Sequence, residues 1–288
     1  MQSEICIGYW LVAWLDLQGI RRKLLETDFL PGDDAAAQAR LIAGLKASVG
    51  CVRTMREWLQ KFFEGKATVD PEGKVFAGLP PEFAAEAQRL RRTRVRRDAM
   101  SDGVIVACPL EPEDGHFPTR GVFDGITACM TLMLVQLGAG RPIRGGLDVG
   151  TGLEIDGELF GAAFVKAYEL ESKRAKHPRL LVGQGLVDYL RASLQTPGEE
   201  FERQLERKLA NDMLDGLVKR DEDGEWIVHY AGPFARKLAP TYWPDLLDRA
   251  RAFARTSRAQ FSLGTDNESR KLFERYSKLL RYLESSGP

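Results

Sequence analysis

The sequence has few of the side chains that build histidine and cysteine sites. Its 288 residues include four cysteines and three histidines. The cysteines are scattered and form no C-x-x-C pair, so we expect reduced thiols in apolar segments rather than zinc ligands or disulfides. Because the histidines lie far apart in the chain, a histidine metal site or a histidine-activated nucleophile is poorly supported.

The sequence also lacks net charge and long apolar runs. Its 41 basic and 41 acidic residues cancel, so no overall field favours a nucleic-acid or membrane partner. The N-terminus does not have the pattern of a secretory signal, and no uncharged stretch approaches the roughly 18 residues of a membrane span. We therefore expect a cytoplasmic protein with no membrane span. The basic run RLRRTRVRR (residues 89–97) contains no aromatic residue and predicts a solvated helix face rather than a nucleic-acid site.

Strand patterns and helix patterns are mixed along the chain. The apolar run that leads into WLDLQG predicts a first strand, and PGDD before an amphipathic stretch predicts a long helix over residues 35–63. Asp-Gly pairs predict hairpin turns at residues 102–103 and 223–224. The last part of the chain consists of charged helices of period 3.6. This mixture predicts an α+β fold, in which an antiparallel sheet has helices on one face.

Two aspartates stand at the ends of predicted strands. Asp16 precedes a predicted helix, and Asp102 lies in the turn before the apolar strand VIVAC. If these strands are neighbours, both carboxylates can converge on divalent cations beside the helix start, where Gly19 lets the backbone approach a phosphate. Two-metal phosphoryl transfer needs such a pair. The alternative is that Asp16 caps a helix and Asp102 fills a turn, and the residues alone leave both interpretations equally open.

Four segments, in order, resemble the class III nucleotidyl cyclases. WLDLQG with Asp16 and MSDGVIV with Asp102 are similar to the two metal-binding segments of that family, and IRGGLDVGTG with Arg144 is similar to its R-x-G strand. ELFGAAFVKAYELESKRA, followed by RLLVG, is similar to a D-x-(aromatic)-G segment and a helix ending in A-x-x-L-E. The resemblance implies a ferredoxin-like cyclase catalytic domain over residues 1–235 and a C-terminal helical extension over residues 236–288.

The resemblance also implies a mechanism and its residues. Asp16 and Asp102, with the backbone carbonyl of Leu17, would hold two divalent cations, Mn²⁺ or Mg²⁺. The phosphates of a nucleoside triphosphate would be bound by Gln18, Gly19 and Arg144. The ribose 3′-hydroxyl would attack the α-phosphate and release pyrophosphate. Because the family's site lies between two catalytic domains, the resemblance implies a homodimer with active sites at the interface and a separate cyclic-nucleotide effector.

This chain departs from the family at positions that stabilise the transition state. The family helix supplies an asparagine and an arginine where this sequence has Val165 and Glu169, and Thr151 replaces an arginine that often follows the R-x-G strand. Losing one such group costs about 2.7 to 4 kcal/mol, so an active enzyme would need substitutes. The candidate cations are Arg97, Arg144, Lys166 and Lys219. The other possibility is a catalytically inactive, cyclase-like binding module.

The positions that read the base in the family hold Asp98 and Glu158, a pair that matches neither adenylate nor guanylate cyclases. Two carboxylates suit hydrogen-bond donors on a base, and the neighbouring Arg97 suits a carbonyl-rich base such as uracil. The alternative is that Asp98 pairs with the arginine run and Glu158 is exposed in a turn. The pattern is most similar to the pyrimidine cyclases of Pycsar antiphage systems, with UTP favoured as substrate. Cytidylate, adenylate and guanylate cyclases are the alternatives.

Overall fold

The computed structural model of the chain describes residues 5–20, 25, 32, 34–68, 95–100, 103–110, 118–156, 158–238 and 240–287. The strands in these ranges are β1 (Ile5–Leu17), β2 (Arg96–Met100), β3 (Gly103–Pro109), β4 (Ile143–Ile155), β5 (Glu158–Phe160), β6 (Leu180–Val182), β7 (Val218–Arg220) and β8 (Trp226–Val228). The α-helices are α1 (Ala35–Thr68), α2 (Pro118–Gly138), α3 (Ala162–Glu169), α4 (Gln184–Leu194), α5 (Phe201–Asp212), α6 (Pro233–Leu238), α7 (Trp243–Phe261) and α8 (Asn267–Ser285). Two π-helical turns, Leu170–Arg174 and Met213–Leu217, follow α3 and α5.

All eight of these strands belong to one sheet, which confirms the α+β class. Seven of them follow the order β2-β3-β1-β4-β6-β8-β7, and β5 pairs with β4 off this path. The pairs are antiparallel except for β4 and β6, which are parallel. The sheet is therefore mixed, and the prediction of an antiparallel sheet holds for every pair but one.

The sheet carries helices on both faces, so the prediction of helices on one face is wrong. Leu11 on β1 packs into the large core with α1 and α2, whereas its neighbour Trp10 packs on the opposite face against Phe164 of α3. Glycines on β4 make room for this second layer. A Cβ on Gly146 would overlap the backbone of α3, and one on Gly150 would lie 3.2 Å from the start of the same helix.

Helix α2 is the central helix of the large core. Within the described ranges it is the one helix long and apolar enough to cross a membrane, but 83% of its apolar window is buried inside the protein. Its Arg120 and Asp124 side chains are both buried and form an ion pair at 2.9 Å. Because it is covered by the helices and the sheet around it and its charges pair internally, α2 is a core helix.

The C-terminal helices share this core. Trp243 and Leu247 of α7 and Leu283 of α8 are buried in the same cluster as the residues of α2. The Tyr282 hydroxyl accepts a hydrogen bond from the Ala231 backbone N–H at 3.1 Å and lies 3.0 Å from His229 Nδ1. Residues beyond 235 are thus packed against the earlier part of the chain by both apolar and polar contacts.

Candidate functional site at the end of strand β1

Asp16 lies near the end of β1, between two other strands. Its register partners are Gly103 on β3 and Arg144 on β4. Directly opposite residues on paired strands project from the same face of the sheet. Asp16 and Arg144 are therefore placed side by side, on the face that α3 covers.

Arg144 joins Asp16 to a second, buried carboxylate. Its Nε donates to Asp16 Oδ2 at 3.1 Å and lies 2.6 Å from Glu171 Oε1. The Glu171 side chain is 4% exposed and the Asp16 side chain 16% exposed. The three groups by themselves carry one net negative charge in a partly buried setting. Such a set of carboxylate oxygens suits a hard cation better than an anion.

The predicted second metal ligand, Asp102, lies outside the described residues. Its neighbour Gly103 begins β3, pairs with Met100 of β2 and lies opposite Asp16 of β1. The strands that carry the two predicted metal segments are therefore adjacent in the sheet, which was the condition for their convergence. In the ranges that the structure describes, no group of three His, Cys, Asp or Glu side chains could hold a metal ion.

The turn after β1 holds the predicted phosphate residues. Leu17 is buried and pairs with Ile143, while the Gln18 backbone N–H donates to the Pro142 carbonyl at 2.9 Å. Gly19 is exposed and has a φ of 87°, a left-handed conformation that favours glycine. The backbone conformation therefore favours glycine at position 19. The backbone N–H of Gln18 already donates to the Pro142 carbonyl, so that hydrogen bond holds the turn.

The predicted base-reading residues do not converge within one chain. Asp98 pairs with Ile105, which pairs with Trp14 of β1, so Asp98 is level with the Asp16 end of the sheet. Glu158 pairs with Ile155, which lies opposite Ile5 at the other end of β1. Nine residues of strand separate the two levels, about 30 Å. The side chains of Asp98 and Arg97 lie outside the described residues.

The candidate replacement cations are also dispersed. Arg144 contacts Asp16, as described above, whereas the Lys166 Nζ donates to the Val149 carbonyl of β4 at 3.4 Å. Lys219 lies on the edge strand β7 with its Nζ 4.8 Å from the Tyr282 ring centroid. Burial lowers the pKa of Lys219. Arg144 is the candidate that the described structure places at the Asp16 carboxylate.

Helix α3 presents its two unusual positions to solvent. Val165 is 58% exposed, and Glu169 forms an ion pair with Lys173 at 2.5 Å on the helix surface. Tyr168, also exposed, makes an edge contact with Trp14 at 5.1 Å between ring centroids. An exposed valine and tyrosine on one short helix form a small apolar surface above the Asp16 face.

Two polar residues of this region were not singled out by the sequence. Glu171 is the last residue of the A-x-x-L-E pattern, which marked it as part of a motif without assigning it a contact. Asp148 is buried, and its Oδ1 accepts hydrogen bonds from the Val149 and Leu186 backbone N–H groups, each at 2.8 Å. Burial raises the pKa of Asp148. The Arg144–Glu171 and Asp148–Leu186 contacts have no local signal, because each joins residues well separated in the sequence.

Comparisons with known proteins identify no relative of this chain. No protein-family model matches it, and neither a curated protein nor a solved structure matches it significantly.

Proposed function

We propose that the chain is a class III nucleotidyl cyclase that converts a pyrimidine nucleoside triphosphate, with UTP favoured, into a 3′,5′-cyclic nucleotide and pyrophosphate. The observation that carries the proposal is the strand register at the end of β1. It places Asp16 opposite both Arg144 and Gly103, the residue that follows Asp102 in the sequence. Three segments that resemble the family's motifs thus meet at one level of the sheet.

The topology of the first half supports the same proposal. Among the residues that the structure describes, the elements β1, α1, β2, β3, α2 and β4 follow the order β-α-β-β-α-β, and their strands are arranged β2-β3-β1-β4 with every pair antiparallel. This is the arrangement of a ferredoxin-like unit, which the resemblance implies. The metal segments then lie on its two central strands.

Asp16 and Asp102, with the Leu17 carbonyl, would hold Mn²⁺ or Mg²⁺. When bound, these ions would lower the pKa of the ribose 3′-hydroxyl and neutralise phosphate charge. Arg144 would release Asp16 and turn toward the phosphates while it keeps its contact with Glu171. The 3′-hydroxyl would release its proton to water as its oxygen bonds to the α-phosphorus. The bond between the α-phosphorus and the α–β bridging oxygen would break, and pyrophosphate would leave with that electron pair.

A second subunit is needed to bring Glu158 to this site. Within one chain Glu158 is level with Ile5, eleven residues from Asp16 along β1 and thus about 35 Å away. A head-to-tail homodimer would place the partner's β4–β5 region over the Asp16 end. The exposed Val165 and Tyr168 of α3 supply apolar surface for such an interface. As a nucleotide-consuming enzyme it would act in the cytoplasm and signal to a separate effector.

The second candidate function is an inactive, cyclase-like binding module. Two observations favour it: Arg144 already occupies the Asp16 carboxylate, and the exposed Val165 and Glu169 provide no cation. Such a module would bind a nucleotide or a protein partner without turnover.

Incubation of the purified chain with ATP, GTP, CTP or UTP and Mn²⁺, followed by chromatography of the products, separates these functions. We expect a cyclic pyrimidine nucleotide, with pyrophosphate released in equal amount. Cyclic AMP or cyclic GMP as the main product would contradict the pyrimidine assignment. Absence of a cyclic product from all four nucleotides would contradict the enzyme and favour the binding module.

A further inference from the structure

A pocket lies beside the end of β1, bounded by the turn after β1, by helix α1 and by the loop between α2 and β4. We call it the β1-end pocket. Its volume is about 600 Å³, within the range of about 300–1,000 Å³ typical of small-molecule sites. The residues of its walls that matter here are Gln18, Lys46, Gly50, Thr54, Arg141 and Pro142.

The β1-end pocket is positively charged on two sides. Lys46 contributes from α1, and Arg141 contributes from the opposite loop. The described residues that line the pocket include no aspartate or glutamate, and neither cation forms an ion pair with a described side chain. Basic and acidic residues balance over the whole chain, whereas the described lining of this pocket has two cations and no acid. This local excess of positive charge favours binding of an anion.

Backbone hydrogen bonds hold the turn after β1 and the loop between α2 and β4, which form one side of the pocket. The Arg141 backbone N–H donates to the Gln136 carbonyl at 2.8 Å, and Gln18 is tied to the same loop through Pro142 at 2.9 Å. Gly140 has a φ of 71°, so the tight turn that presents Arg141 depends on a glycine. A binding site with preset walls loses less conformational entropy when it is filled.

Small side chains keep the α1 wall open. Gly50 follows Lys46 by one helical turn, and a Cβ added to it would meet no atom within 4 Å. The Thr54 hydroxyl, one turn further, donates its proton to the Gly50 carbonyl at 2.8 Å, so the charged donors of this pocket are the two cations. The open wall leaves room for an extended polar group along the helix between the two cations.

We propose that the β1-end pocket is an oligophosphate-binding site. Two cations on different walls of the pocket suit a chain of two or three phosphates, because Arg141 can hold two oxygens of one phosphate and Lys46 can neutralise another. The source of the oligophosphate is either free pyrophosphate or the triphosphate of a nucleotide. The two cations that define the site have no role in the proposed cyclase chemistry, although the pocket shares Leu17 and Gln18 with that site. Helix α1, which carries Lys46, packs on the sheet face opposite to the Asp16 and Glu171 carboxylates.

Calorimetric titration of the full chain with sodium pyrophosphate, at low salt and without divalent cations, tests the site. Lys46→Ala or Arg141→Ala is expected to weaken binding by about tenfold each, and the double variant by about 100-fold, since charged hydrogen bonds are the strong ones. The control double variant Arg40→Ala/Lys61→Ala removes two exposed cations of α1 outside the pocket and should leave the affinity unchanged.

A second variant changes the space and keeps the charges. Gly50→Leu places a side chain in the open wall and is expected to weaken pyrophosphate binding by about tenfold without lowering the melting temperature, because leucine favours a helix more than glycine does. Lys46→Arg should retain most of the affinity. These variants distinguish a filled pocket from a misfolded chain.

Competition identifies the source of the phosphates. Displacement of pyrophosphate by UTP, but not by uridine, assigns the pocket to a nucleotide's triphosphate. Pyrophosphate binding that UTP does not displace assigns it to free oligophosphate. The proposal is overturned if the wild-type chain binds no pyrophosphate at millimolar concentration, or if the Lys46/Arg141 double variant binds it as tightly as the wild type. Because the titration needs no turnover, its failure is separable from failure of the cyclase assay.

Discussion

Replacing Asp148 by alanine removes the group that caps helix α4. The N-cap residue of α4 is Gly183, which has no side chain, and Asp148 reaches over from β4 to accept the Leu186 N–H at 2.8 Å. A Cβ on Gly183 would overlap the Asp148 carboxylate. The Asp148 carboxylate therefore reaches the start of α4 only because Gly183 has no side chain.

The expected loss of stability in Asp148→Ala can be estimated from the lost helix cap and from the burial of the N–H group left unpaired. Loss of an N-cap acceptor costs about 0.5–2 kcal/mol, and an unpaired buried N–H costs about 1–3 kcal/mol. These costs overlap because they describe the same hydrogen bond, so we expect Asp148→Ala to lower the free energy of unfolding by about 2 kcal/mol. At about 2–4 °C per kcal/mol, the melting temperature falls by roughly 4–8 °C.

Asp148→Asn separates the hydrogen bond from the charge. Asparagine keeps the acceptor oxygen, so its stability should stay within about 1 kcal/mol of the wild type. Burial raises the pKa of Asp148 above its unfolded value of about 3.9. The protonated form is therefore favoured in the folded state. The resulting stability is fully present below the unfolded pKa and is lost as pH rises through the folded pKa, so Asp148→Asn should gain relative to the wild type over that interval.

Urea unfolding followed by circular dichroism measures these differences, provided that the slopes of the transitions agree. The control is Asp188→Ala, in helix α4 itself. The Asp188 side chain is 62% exposed, so its removal should change the free energy of unfolding by no more than about 0.5 kcal/mol. An Asp148→Ala variant as stable as this control would refute the capping role.

Two further predictions concern buried groups. Burial, followed by the charge of Arg179, lowers the pKa of His177 to about 4, so Arg179→Ala should raise that pKa in an NMR titration; an unchanged or lower value would contradict the contact. Burial raises the pKa of Cys129 to about 12 and raises that of Cys108 further. Both should resist iodoacetamide at pH 8 while the half-buried Cys51 reacts, and mass spectrometry showing early labelling of either would oppose this.

Local sequence patterns predicted several helices, strands and turns well, because the formation of these elements depends on residues that are neighbours in the sequence. The helix predicted at residues 35–63 is found as Ala35–Thr68, and the predicted 223–224 turn joins β7 to β8 with Gly224 at a φ of 81°. The first strand is also found, and it continues through Leu17. Apolar spacing and Asp-Gly turns are sufficient signals for such features.

The second helical layer and the parallel strand pair could not be predicted in this way. Gly146 belongs to a motif that was noted for its arginine, yet its missing side chain is what admits α3 onto the sheet. Pairing of β4 with β6 depends on where the chain returns after α3, and no local pattern encodes that choice. Tertiary packing decides both features.

The candidate site was predictable in part for the same reason. The sequence analysis made the adjacency of the strands bearing Asp16 and Gly103 a condition for the site, and the register of β1 and β3 meets that condition. The Arg144–Glu171 ion pair could not be predicted from the motifs, because 27 residues separate its members and a π-helical turn sets the direction of Glu171. The distance between Glu158 and Asp98 could not be predicted either, because the two residues lie on different strands, whose relative positions are set by the register of each sheet half with β1.

The pairing of Asp16 with Asp102 as a two-metal site is tested most directly by UTP cyclisation with each aspartate replaced. Wild-type chain with Mn²⁺ and UTP should yield cyclic UMP and pyrophosphate. Asp16→Ala and Asp102→Ala should each reduce the rate by about 100-fold or more, since removing one charge-stabilising group costs about 10²–10³ in kcat. Asp188→Ala should keep the wild-type rate. Full activity in either Asp16→Ala or Asp102→Ala would contradict the assignment.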